Sequence, residues 1–442
     1  MDAKKQKLTD DEITENVVET CSYWVPRKKR RCKMTANKGS TFCGAHAPAS
    51  ILDDNSGEDL SKERVLCPLD PKHTVFKTKL AKHLTICNAR DQQSTLPYIV
   101  KNINSGENVE DSTDSEKFRE IKLHEVPDGE FYAFIKLIEN LYDKLIASTI
   151  TEIHSAHESL KEELSRDDYG QNTLRQLSQS SSLLGILERD QQIANDTSYV
   201  EFGAGKGQLS YHLATDLDER HMTGSQVILV DRMSLRHKKD NKVANRDMVK
   251  RIRADIADLK LSALPELKKT RRTVALSKHL CGEATDLTLR CIQCNTVDGS
   301  SPVDYVLIAL CCHHRCSWQS YVGRPFLHEC GIGPRQFAIL IKMASWAVCG
   351  TGLSRERRRA MEQADQKEQP EVTTQRLSRE ERERFGLQCK RLLDWGRLQY
   401  MRSQGYEASL KFYVPKAVTL ENVVLVAKID TSKKRNSLPT GN

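Results

Sequence analysis

Near the end of the chain two strand-like runs, ASLKFYVP and NVVLVAKI, are separated only by KAVTLE. A parallel crossover needs about a dozen residues, so a gap this short requires an antiparallel hairpin. Upstream, from about Asn172, short β-branched runs alternate with helical stretches: TSYVEFGAG, QVILVDR, RIRADI, TVALSKHL and DYVLIALCC. That alternation specifies an α/β fold with a parallel, doubly wound sheet, which the hairpin closes in the opposite sense. Between the two patterns, SREERERFGLQCKRLLDWGRLQYMRSQGY reads as one long helix.

The first strand of the alternating region runs into Glu201-Phe202-Gly203-Ala204-Gly205-Lys206-Gly207, and a helix follows. Glycines at Gly203, Gly205 and Gly207 allow a tight turn and close approach of backbone to a ligand. The acid Glu201 precedes them. A second strand ends in Asp231, placed to accept from ribose hydroxyls, and a third in Asp255, placed to meet an adenine amino group. A dinucleotide site is the competing reading, but it favours G-x-G-x-x-G, and Gly207 comes one residue too early. A glycine turn without ligand is the plainer alternative. Three acids at successive strand ends favour S-adenosylmethionine. A parallel sheet finished by an antiparallel hairpin is also the architecture of class I (Rossmann-like) methyltransferases, and most dinucleotide-binding folds lack it.

Two further strand ends carry reactive groups: Ser277-Lys278-His279-Leu280-Cys281-Gly282-Glu283-Ala284-Thr285-Asp286 and Cys311-Cys312-His313-His314-Arg315-Cys316. Ligands of open α/β sheets bind beyond the carboxyl ends of the strands, so both segments are expected at the cleft. Methyl transfer to a hydroxyl needs in-line positioning and a group that handles the hydroxyl proton. Lys278, His279 and His313 have that chemistry, and Asp286 can orient one of them; the plain alternative is that each only holds a loop. Cys291 and Cys294 with Cys311, Cys312, Cys316 and Cys330 raise the idea of a metal site, or of a cysteine attacking a pyrimidine base. Adjacent Cys311 and Cys312 are expected to point to opposite faces of the strand end, which disfavours joint ligation, and buried apolar cysteine is the commoner role.

The N-terminal region holds two Cys/His quartets. Cys21, Cys32, Cys43 and His46 form C-x10-C-x10-C-x2-H; Cys67, His73, His83 and Cys87 form C-x5-H-x9-H-x3-C. Each supplies the four soft or borderline ligands of a closed tetrahedral zinc site, two ions in all. Segments this short bury too little apolar surface to fold alone, so the metal supplies the folding energy. His83 and Cys87 lie four apart, on one face of a short helix.

The remaining organisation follows from composition. Residues 1–20 read as a disordered tail, 21–47 and 65–90 as the zinc modules, 91–128 as a flexible acidic linker and 129–170 as an amphipathic helix. The catalytic domain is expected over 171–430, with a basic tail at 431–442. No long apolar run marks a membrane span or secretory signal, so the chain is expected inside the cell, in nucleus or cytoplasm, with its 14 cysteines reduced. The formal charge of +8 is concentrated in Arg27–Arg31, in the stretch from Arg236 to Arg253 and in Lys268–Arg272, where a polyanion can bind. A solvated basic face, and for RKKRR a nuclear-import signal, are the alternatives.

Together, the C…C…CGAH and CPLDPKH…H…C modules with EFGAGKG, SKHLCGEATD and ALCCHHRC resemble the eukaryotic tRNA 2′-O-methyltransferases that modify nucleotide 4 of the acceptor stem. The likeness runs from Cys21 to about Ile429, and the second module is also similar to the CHHC finger of minor-spliceosome proteins. The resemblance implies a ribose methyltransferase using S-adenosylmethionine, with tRNA as its partner; no obligate protein partner is evident in the sequence. It leaves the proton acceptor open. An RNA cytosine C5-methyltransferase and a non-catalytic zinc-finger RNA-binding protein are the alternative functions.

Overall fold

The computed structural model describes residues 20–25, 30–32, 35–36, 40–43, 64–87, 96–106, 117–118, 120–233, 235, 238–293, 303–349 and 376–429. They fall in two compact units, residues 1–91 and 92–442. His46 and Cys294, and the expected tails at 1–19 and 431–442, lie outside the described residues.

The smaller unit contains two hairpins of two strands each. β1 (Trp24–Val25) pairs antiparallel with β2 (Arg30–Arg31), and β3 (Arg64–Cys67) with β4 (Asp70–Phe76). The second hairpin leads into helix α1 (Leu80–Ile86). Among the described residues of the first module, the buried apolar cluster is Cys21, Cys32 and Cys43, with Phe42 packed against them.

The larger unit is built on one eight-stranded sheet. Its strands are β5 (Thr151–Glu152), β6 (Thr197–Phe202), β7 (Gln226–Val230), β8 (Val249–Ile252), β9 (Arg272–Cys281), β10 (Tyr305–Cys311), β11 (Tyr406–Phe412) and β12 (Val423–Ile429). The order across the sheet is β5-β11-β12-β10-β9-β6-β7-β8. From β10 to β8 every pairing is parallel, whereas β12 runs antiparallel to both β10 and β11. The order reverses at β6, where connections leave to both sides, and such a switch point opens a crevice beyond the strand ends.

Alternation along the strands divides the core into two layers. Val200, Phe202, Ile228, Val230, Val306 and Ile308 enter one layer. Tyr199, Val227, Leu229, Tyr305 and Leu307 enter the other, with apolar residues of α3 (Gln171–Arg189) and α4 (Gln208–Glu219). Strands buried on both faces need no polar side, which is why they read as continuous apolar runs.

Helix α2 (Asp128–Leu145) buries Phe131, Phe134, Ile135 and Ile138, at three-and-four spacing, against the long helix α7 (Arg379–Ser403). Between α2 and α7 in sequence lie α5 (Glu283–Gln293) and α6 (Pro334–Ala344). A capping box starts α7: Ser378 Oγ accepts from Glu381 N at 3.2 Å, and Glu381 Oε2 accepts from Ser378 N at 2.7 Å.

Two expectations change. The helix expected over 129–170 stops at Leu145, and the chain then adds β5 beside β11 at the edge of the sheet. Part of the tether expected over 91–128 is packed. Asn104, fully buried, donates from Nδ2 to Ile256 O and Leu259 O at 2.6 and 2.8 Å, and Val100 N donates to Asp258 O at 2.8 Å. Polar composition had marked this stretch as linker; its polar atoms are spent on backbone partners instead. Among the described residues no helix is long and apolar enough to cross a membrane.

Candidate active site

The turn after β6 is left-handed at all three glycines, with φ of 64°, 53° and 71° at Gly203, Gly205 and Gly207. The three differ in what surrounds them. A Cβ on Gly207 would lie 2.7 Å from both Asp240 Oδ1 and Leu229 Cδ2, so this glycine serves packing. At Gly205 the nearest such neighbour is Gly203 O at 4.0 Å, which leaves open space for a ligand against the backbone. Arg251 braces the turn, donating from Nη1 to Gly205 O at 3.0 Å and pairing with Asp240 at 2.7 Å.

The acids divide in the same way. Asp231 at the end of β7 is half-buried; its Oδ2 accepts from Gly205 N and its Oδ1 from Met233 N, both at 2.7 Å. A carboxylate offers about four lone pairs, so hydroxyl groups can still bond to it. Asp255 accepts from Ala257 N at 3.0 Å, with Arg232 at 3.8 Å, and its side chain is 41% exposed, enough to reach a ligand. Glu201 is buried instead. It lies on the same face of β6 as Tyr199 and takes hydrogen bonds from Ser210 N and Ser210 Oγ at the start of α4. Burial raises its pKa to about 7. Its carboxylate therefore holds the turn to the helix.

β9 reaches the cleft beside this turn. A Cβ on Gly203 would stand 3.0 Å from Leu280 Cδ1 and 3.7 Å from His279 O. The register of β9 on β10 shifts here, Ser277 facing Ile308 and Leu280 facing Leu310, so Lys278 and His279 occupy a bulge. Bulges re-aim side chains at sheet ends. Lys278 turns inward to α3, where Nζ donates to Gln176 O at 3.2 Å and Ser180 Oγ at 3.0 Å. Burial lowers its pKa to about 8, against the smaller opposing pull of Glu201. His279 is exposed, with Nε2 3.0 Å from Gln176 Oε1. Crowding by neighbouring protein atoms, and then the Lys278 charge, lower its pKa below the usual imidazole value.

Asp286 and His313 stand elsewhere. Asp286 orients neither Lys278 nor His279, because its fully buried carboxylate is bonded to Arg397, Nε at 3.1 Å and Nη2 at 2.7 Å. His313 is buried, with Nε2 on Asp394 Oδ1 at 2.5 Å, and Asp394 also accepts from Arg391 at 2.7 Å. Burial charged without partners would be prohibitive, so these groups form a linked network under the strand ends. Sequence reasoning missed its α7 members, Arg391, Asp394 and Arg397. Their signal was present: charges at i, i+3 and i+6, with Lys390 beside the first, set among large apolar residues in CKRLLDWGRL.

The wider cysteine set is not one site. Cys291 Sγ donates to Leu259 O at 3.2 Å, and Cys316 accepts from Arg397 Nη2 at 3.1 Å. In the smaller unit, ligand atoms do converge: the Sγ atoms of Cys21, Cys32 and Cys43 lie within 4.8 Å of one another, as do the ligand atoms of Cys67, His83 and Cys87. Cys67 and Cys87 Sγ are 3.7 Å apart and His83 Nε2 is 3.2 Å from Cys67 Sγ, separations a tetrahedral ion with thiolate bonds of about 2.3 Å would bridge. The backbone of His73 lies in β4; its side chain, like His46, is outside what is described.

Three family models match the chain. Methyltransferase TRM13 covers residues 178–428, the CCCH zinc finger in TRM13 protein covers 19–47, and the U11-48K-like CHHC zinc finger covers 64–88. Among curated relatives, the mouse protein named "tRNA:m(4)X modification enzyme TRM13 homolog" is 34% identical, covering 92% of this chain and 94% of its own. The human protein of the same name is 32% identical, with 92% and 94% covered. The Schizosaccharomyces pombe protein "tRNA:m(4)X modification enzyme TRM13" is 35% identical, with 83% and 95% covered.

Proposed function

The chain belongs to the TRM13 methyltransferase family, and on that footing we propose that it methylates the ribose 2′-oxygen of nucleotide 4 in tRNA, with S-adenosylmethionine as donor. The observation that carries the chemistry is the contact of the glycine turn with the bulged end of β9, which brings Gly203 and His279 to one cleft. The parallel order β10-β9-β6-β7-β8 with the antiparallel pair β11 and β12 supports a class I methyltransferase fold.

The open space over Gly205 and the carboxylates of Asp231 and Asp255 fit the methionine end, ribose and adenine of S-adenosylmethionine in turn. When bound, it supplies a methyl group already activated by a sulfonium. The protein's own residues then position the hydroxyl and take its proton. With Nε2 donating to Gln176 Oε1, His279 keeps the Nδ1 lone pair and serves as proton acceptor. Lys278, a cation behind it, opposes premature protonation of the ring. The fingers and the basic stretches hold the RNA; duplex RNA displays its 2′-hydroxyls in a wide, shallow groove, so a ribose can be reached without flipping a base.

Mass spectrometry of nuclease-digested tRNA product tests the assignment. A methyl group on the ribose is expected, and one on the base would overturn it. His279→Ala should lower kcat more than a hundredfold with little change in cofactor affinity.

A further inference from the structure

At the ends of β9 and β10, within the larger unit, three more thiols meet. The Sγ atoms of Cys281, Cys311 and Cys312 lie within 4.8 Å of one another, the same closeness as the finger ligands. Cys281 and Cys311 are direct partners in the parallel register. Cys312, the next residue, would in an extended strand point to the opposite face. It does not, because its backbone is left-handed, with φ of 54°. For a non-glycine residue that conformation costs about 1 kcal/mol, so something must hold it. Facing it, Gly282 (φ 51°) turns so tightly that a Cβ there would lie 2.7 Å from the Arg315 backbone. Both turns act to the same end: they bring three thiols to one point.

Ordinary core packing does not explain the arrangement. Cys311 is buried, but Cys281 and Cys312 are only half-buried, and none of the three is in a disulfide. We propose that Cys281, Cys311 and Cys312 bind one zinc ion through three thiolates, a third metal site of the chain. A tetrahedral zinc with sulfur bonds of about 2.3 Å spaces its thiolates by about 3.8 Å, within the closeness observed. Binding deprotonates the three thiols and releases the protons to solvent. Among the described residues no fourth Cys, His, Asp or Glu atom closes the set; His313, next in sequence to Cys312, is committed to Asp394. Three protein ligands with one position left over is the pattern of sites that accept a water or substrate oxygen, at the cleft end of the sheet.

Elemental analysis of the full-length protein, purified with zinc and freed of loose metal, should find about three zinc ions per chain. Cys281→Ser and Cys312→Ser should each lose about one while keeping finger zinc, whereas Cys330→Ser should lose none. About two ions in the wild type, unchanged by Cys312→Ser, would overturn the site. Should a variant fail to fold, anomalous diffraction at the zinc edge from wild-type crystals decides: a peak between the three sulfurs is expected, and its absence refutes the proposal. Neither readout depends on methyl transfer, so its failure would leave the proposed reaction untouched.

Discussion

A methyl group added at Gly205 and one added at Gly207 would meet different surroundings, although both backbones are left-handed. Gly207→Ala should cost about 2–3 kcal/mol, combining the backbone penalty with overpacking against Leu229 and Asp240. Gly205→Ala should cost only about 1 kcal/mol yet weaken S-adenosylmethionine binding about tenfold or more, because its Cβ enters the open space. Chemical denaturation and calorimetry on the two variants separate the effects. The strand ends that carry the glycines, Asp231, Asp255 and His279 were legible because an apolar run that stops at a polar or glycine residue marks a strand end. The bulge at Lys278 and His279 was not legible: an inserted residue changes facing without changing composition. The turn at Cys312 was hidden for the same reason, and so Cys311 and Cys312 were expected to diverge.

Helices α4 and α7 each bury a group that most helices leave in water. On α4, His212 is buried, and its Nε2 has no hydrogen-bond partner among the described residues. Desolvation lowers its pKa from 6.5 to about 4. The unfolded chain therefore binds a proton below pH 6.5 that the folded chain refuses until about pH 4. Stability present above pH 6.5 should fall by about 3 kcal/mol across that window, and His212→Phe should flatten this part of the pH profile in urea titrations. On α7, Arg397 pairs with Asp286 with both side chains fully buried. Asp286→Asn leaves a buried guanidinium under-compensated and should cost about 3–5 kcal/mol, with cofactor affinity of the folded fraction nearly unchanged. Strand and helix positions in this region followed from periodicity, but the pairing did not. Residues 111 apart in sequence share no local pattern, and only the completed sheet brings α5 and α7 together.

For the whole molecule, the basic stretches predict RNA binding that weakens steeply with salt, log K falling linearly against log salt concentration in filter-binding or fluorescence titrations. Removing zinc with a chelator should unfold the finger modules first, since three thiols make the buried cluster of the described CCCH residues. The family likeness of the catalytic region begins at residue 178, inside α3, whereas the folded unit begins much earlier. Segment 98–104 is fastened to the turn after Asp255, α2 covers one side of α7, and β5 lies along β11. That last pairing is brief, Thr151 and Glu152 against Lys411 and Phe412, but it occupies the outermost strand of the sheet. An unoccupied outer strand is a template on which other chains add, and a bared apolar helix face compounds the hazard. A recombinant fragment cut at residue 178 should consequently self-associate and precipitate, while one starting near residue 92 should stay monodisperse in light scattering: the short stretch beside β11 acts as the sheet's guard against polymerisation.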